Sequence, residues 1–221
     1  MANPAELLFD IFKSWNNPRA STVTARKDSD TLRTHRIAVK HLNDIERLLD
    51  IMHSDGKRVS TYKNRFPQWV RIVFNYPRDW KNNYGSIDDG ALESLENLID
   101  TMDSYVPKMD EARFDELKKY LDKVEKALHD DDSLSDAVKA GTMTLVHNLR
   151  TILDQYTVCG DLQLEQALER LLGNLAKVTL HSKHAARWRT LINEFVFPYV
   201  VGQLPELPAG GLLSAVAELG S

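Results

Sequence analysis

Five successive stretches of this 221-residue chain carry apolar residues at alternating steps of three and four. The first is His35, Ala38, Leu42, Ile45, Leu49 and Met52, and the second is Leu92, Leu95, Ile99, Met102 and Val106. Phe114, Leu117, Leu121, Val124 and Leu128 follow, then Leu145, Leu149, Ile152 and Tyr156, then Leu164, Leu168, Leu171, Leu175 and Val178. A helix turns once per 3.6 residues, so each set lies on one stripe, and a stripe of that width must be covered by neighbouring helices. Helices of this length span about 30 Å. The predicted fold is therefore all-α, an elongated up-and-down bundle of about seven helices with no significant sheet.

Start and stop signals divide the chain. Asn3, Pro4 and Glu6 cap a first helix that Asn16-Asn17-Pro18 ends. Residues 16–28 read as a loop or a short helical turn. Ser29 or Asp30 starts a long helix that Gly56 closes in a left-handed cap. Residues 60–75 read as a helix kinked or started at Pro67, with a short strand over 69–74 as the lesser alternative. Ser86, Asp110, the Asp130-Asp131-Asp132-Ser133 run and Asp161 open the next four helices, and a last one spans about 184–197. The expected organisation is a basic N-terminal part over 1–85, an antiparallel bundle over 86–204, and a linker with a short apolar helix over 205–221, packed as one compact unit. That tail either folds back or docks in another chain's groove.

Composition narrows the class. A hydrophobic content of 43% with 27% charged residues is that of a globular protein. A single cysteine, Cys159, excludes an internal disulfide and fits a reducing compartment. The first residues, Met-Ala-Asn-Pro-Ala-Glu-Leu, lack the features of a signal peptide, and no apolar run is long enough for a membrane helix, so a cytoplasmic protein with no membrane contact is expected. Charge is unevenly divided. Residues 1–82 hold 15 Lys and Arg against 9 Asp and Glu, and residues 83–221 hold 13 against 23. Such asymmetry indicates faces with different partners, or halves that attract each other.

The stretch 57–84 carries the most chemistry. Lys57, Arg58, Lys63, Arg65, Arg71, Arg78 and Lys81 face one acid, Asp79, and are interleaved with Tyr62, Phe66, Trp69, Phe74, Tyr76, Trp80 and Tyr84. Tryptophan, tyrosine and arginine are the usual anchors of protein interfaces, and cations beside rings also suit unpaired nucleotides. The same apolar residues at helical spacing suit a core. The candidate partner-binding residues are Lys57, Arg58, Lys63, Arg65, Trp69, Arg71, Arg78, Trp80 and Lys81.

A second pattern lies in the long helix, where Arg36 is followed five residues later by His41. This spacing resembles the motif of HEPN-type ribonucleases. The resemblance covers these two positions alone, and Ile37 stands where the family prefers a polar residue. It implies a phosphodiester-cleaving pair, Arg36 and His41, usually completed across a dimer. The pair His181 and His184 has a spacing that could bind a metal from one helix face, yet no carboxylate or cysteine lies at a matching step, so no metal site is expected. Phosphate-binding and dinucleotide fingerprints are absent, and no cofactor is expected. The sequence thus points to a non-enzymatic adaptor or regulatory module that binds a helical protein partner, or itself, through the basic-aromatic stretch. A nucleic-acid-binding protein, or a ribonuclease using Arg36 and His41, is the alternative.

Overall fold

A computed structural model describes residues 2–27, 32–75, 84–195 and 198–199. The fold is all-α, with nine α-helices among these residues. The chain divides between Val106 and Pro107 into two compact units. The sequence expectation placed the first boundary at residue 85; the helix that follows belongs instead with the N-terminal elements.

The N-terminal unit contains α1 (Pro4–Trp15), β1 (Asn17–Ser21), α2 (Thr22–Ala25), α3 (Arg33–Ser54), α4 (Ser60–Phe74), β2 (Tyr84–Gly85) and α5 (Asp89–Met102). Helices α1, α3, α4 and α5 form a ring in which each packs on two others. Asn3 caps α1 by accepting from the Ala5 and Glu6 amides, and its Nδ2 donates to the Ile99 carbonyl at 3.0 Å and to Asp103 at 2.7 Å. At the other end of α1, Asn16 accepts from the Ile87 amide, so α1 and α5 run antiparallel. Part of the expected loop over 16–28 is instead extended, and β1 pairs with β2 in a short irregular ribbon. Gly85 is needed there, because a Cβ would come within 2.6 Å of the Ala25 Cβ.

Helix α3 begins at Arg33; the predicted starting residues Ser29 and Asp30 lie outside the described residues. Gly56 does close it at φ +78°, with the Gly56 and Lys57 amides returning to the His53 and Met52 carbonyls. The 69–74 segment is helical, and α4 starts at Ser60 and runs through Pro67 rather than starting there. Pro67 is exposed, where water can meet the carbonyl that it leaves unpaired.

The C-terminal unit contains α6 (Phe114–Asp130), α7 (Asp136–Asp154), α8 (Tyr156–His181) and α9 (Ala185–Asn193). These four helices also close a ring, with α6 and α8 each touching α7 and α9. Arg150 of α7 reaches Asp122 at 2.6 Å and Glu125 at 3.2 Å on α6, and Lys118 reaches Asp154 at 3.1 Å, which fixes an antiparallel pair. Lys123–Glu194 and Arg187–Asp130 do the same for α6 and α9. The predicted stripes form the core: Leu117, Leu121, Val124, Leu149, Leu164, Leu168, Leu171 and Leu175 are fully buried around Trp188.

Gly160 breaks α8 with φ +73° and ψ −179°, where the sequence predicted one helix to end and another to begin. Asp161, expected to cap the second helix, is buried and accepts from the Tyr156 hydroxyl and the Met109 amide. Burial, reinforced by Asp161, pushes the Tyr156 phenol well above its ordinary pKa.

The acidic run 130–132, expected from sequence to open a helix, splits. Asp132 remains in water, whereas Asp131 is fully buried. One Asp131 oxygen accepts from the Ser133 amide and hydroxyl, and the other from the Ser182 hydroxyl and the Trp188 indole. Burial alone would raise the Asp131 pKa, but these donors outweigh it and hold the carboxyl below the usual carboxylate range.

Candidate interaction surface on helix α4

Helix α4 has two unlike sides. Trp69 and Val73 point inward and are buried, with Phe66 half-buried against the Trp69 ring in an edge-to-face pair at 6.1 Å. The Trp69 indole donates to the Ala91 carbonyl of α5 at 3.0 Å, which satisfies its polar atom inside the core. The C-terminal end of α4 is held by buried Arg26, whose guanidinium donates to the Ile72 carbonyl at 2.6 Å and lies 4.7 Å from the Trp15 ring. Burial lowers the pKa of Arg26 to about 10.

The outward side is cationic. Lys57 and Arg58 just before α4, and Arg65 and Arg71 on it, are exposed, and Phe74 at its C-terminal end is 56% exposed. Lys63 is half-buried in an ion pair with Asp50 of α3 at 2.7 Å. Residues 57–74 contain no acidic side chain to offset these charges. Arg65 donates to Gln68 at 3.1 Å, and Gln68 in turn donates to Asp88, the residue that caps α5, at 3.0 Å. This relay holds Arg65 along the seam between the two helices. The seam is an open groove of about 300 Å³ lined by Arg58, Thr61, Tyr62 and Arg65 on one wall and by Gly90, Glu93, Ser94 and Asn97 on the other.

The structure thus separates the nine predicted partner-binding residues. Lys57, Arg58, Arg65 and Arg71 are all exposed, and Lys63 is tied to α3. Trp69 corrects the expectation: it is a core residue at 0% exposure, drawn in because it lies on the same stripe as Phe66 and Val73. Arg78, Trp80 and Lys81 lie outside the described residues, as does the tail over 205–221. The contribution of α5 was missed from sequence. Its exposed Asp89, Glu93, Glu96 and Asp100 share one side of the helix, with Glu93 at the groove itself, and their spacing was a readable signal.

The alternative pair does not assemble. Arg36 is exposed on α3 while His41 is buried at 1% exposure, as five residues place them roughly 140° apart around the helix. His35 is also buried and stacks on Trp15 at 4.4 Å. His181 and His184 are both exposed, and ligand atoms of Asp131, Asp132 and His184 lie within 4.8 Å of one another. Asp131 already spends both oxygens on protein donors, which accounts for its position structurally. No helix among the described residues is long and apolar enough to cross a membrane. No protein-family model, curated protein or solved structure matches the chain.

Proposed function

We propose that this chain is a non-enzymatic protein-interaction module of the cytoplasm, binding an acidic surface of a partner protein through the exposed face of α4. The observation that carries the reading is the separation of α4 into a buried apolar side and exposed positions that hold Arg65 and Arg71, preceded by exposed Lys57 and Arg58, with no acid between 57 and 74. Uncompensated cations on one face attract a complementary surface and set its orientation. A protein partner is favoured over single-stranded nucleic acid because Trp69 is unavailable for stacking and Phe66 is half-buried, leaving Phe74 as the exposed aromatic among the described residues of the stretch. Catalysis by Arg36 and His41 loses support because the two side chains do not share a cleft.

The test is affinity enrichment from the native cell, with nuclease treatment, using the wild type and R58E/R65E/R71E. Partners of the α4 face should be lost from the variant while its helical circular dichroism signal is retained. Retention of every partner by a folded variant would place the binding surface elsewhere.

A further inference from the structure

The groove between α4 and α5 has Arg58 and Arg65 on one wall and Glu93 on the other, and Asp89, Glu96 and Asp100 lie with Glu93 on the exposed side of α5. The helices run antiparallel, with Tyr62 bonded to the Asn97 carbonyl and Trp69 bonded to the Ala91 carbonyl. Arg58, in the non-helical segment just before α4, lines the groove beyond Tyr62, towards the Asp100 end of α5. Arg65, one turn before Trp69, is level with the segment between Glu93 and Glu96. Arg71, just after Trp69, is level with Asp89. All of these side chains belong to exposed residues. Among the described residues, none of Arg58, Arg65, Arg71, Asp89, Glu93, Glu96 and Asp100 forms an ion pair.

Two level rows of opposite charge, side by side and uncompensated, are self-complementary under one kind of symmetry. A two-fold axis parallel to the helices, lying in the plane of the face, preserves height and exchanges left for right. It lays α4 of one copy over α5 of the other and α5 over α4. Each arginine then meets the acids at its own level on the partner, twice over, as an isologous interface requires. A two-fold axis across the helices would instead set α4 on α4 and α5 on α5, opposing like charges, which is disfavoured. We infer that the α4–α5 face pairs with the same face of a second copy of this chain, forming a two-fold dimer held by reciprocal arginine–carboxylate contacts. This rests on the reading of α4 as a binding face and names its partner. The contacts are polar and rim-like, so the dimer is weak and salt-sensitive.

Sedimentation velocity on the full chain tests it. Raising the ionic strength from about 0.01 M to about 1 M shortens the screening length from about 30 Å to about 3 Å, so a low-salt dimer should become a monomer. R58E/R65E/R71E and D89K/E93K/E96K/D100K should each raise the dimer dissociation constant more than about tenfold. An equimolar mixture of the two should regain dimer, because one copy's acidic α4 then faces the other's basic α5 and its acidic α5 faces the other's basic α4. Structural damage would not produce that rescue. If either variant unfolds, R58Q/R65Q/R71Q replaces the pair, and an unchanged dissociation constant for it overturns the proposal. A wild type that stays monomeric at low salt and at the highest attainable concentration also overturns it, as does a dimer indifferent to both sets of substitutions. The binding reading fails separately: a monomeric wild type that loses a captured partner on R58E/R65E/R71E ends self-pairing and leaves the α4 face as an interaction surface.

Discussion

Two charged runs in this chain look alike as text and are used in opposite ways. In the basic stretch 57–74 the charges stay in water and the apolar residues between them go inside: Arg65 and Arg71 are exposed while Trp69 and Val73 are buried. In the acidic run 130–132 the middle charge itself is drawn in, and Asp131 is fully buried between two exposed neighbours. The difference lies in what surrounds each group. A buried ion needs several donors, and Asp131 has four from Ser133, Ser182 and Trp188. No comparable set of acceptors pulls the α4 arginines inward, and their helix supplies Trp69 for the core instead.

The contrast makes predictions that would break it. The largest effect should come from the apolar member of the basic stretch. Trp69→Ala removes a fully buried ring together with its bond to Ala91, and should cost about 3–5 kcal/mol in chemical denaturation. A loss below about 0.5 kcal/mol, the scale of surface sites, would return Trp69 to the surface and erase the two-sidedness of α4. Next, Asp131→Ala leaves the Trp188 indole and two serine hydroxyls without their shared acceptor and should cost about 3 kcal/mol, since removing the acceptor of several buried donors costs more than one bond.

A smaller effect sharpens the same point through pH. Asp131 titrates lower in the folded chain than in the unfolded one. Its contribution is therefore fully present above about pH 4, the unfolded carboxyl value, and is lost as pH falls towards the lowered folded value. The stability gap between the wild type and Asp131→Asn should be constant from pH 7 to about pH 5 and narrow below about pH 4. A gap that widens on acidification would reverse the assigned direction. Smallest of all, Asp132→Ala and Arg65→Ala should each change stability by no more than about 0.5 kcal/mol. A large loss at Arg65 would make it a structural residue and weaken the interaction reading.

The helical stripes were legible because burial imposes a period, and Leu149, Leu164 and Leu168 lie in the core as that period requires. Gly56 and Gly160 were legible as breaks because their conformations suit glycine. Trp69 was legible twice, as an anchor by its basic neighbours and as core by its spacing from Phe66 and Val73, and sequence alone does not rank the two. The cationic half of the candidate surface was readable in 57–71. The acidic half on α5 was not joined to it, because that pairing depends on which helices are neighbours in the ring. Asp131 gave no local sign, since the partners that hold it inside, Ser182 and Trp188, lie 51 and 57 residues further along.

That separation bears on the order in which the chain is built. The ring of α1, α3, α4 and α5 is complete in sequence by Met102, so a growing chain can close it early. The second ring waits. Until Trp188 has been synthesised and has cleared the exit tunnel, Asp131 at the α6–α7 turn lacks one of its four donors. Full compensation of its burial thus comes only with α9, the last helix of that ring in sequence.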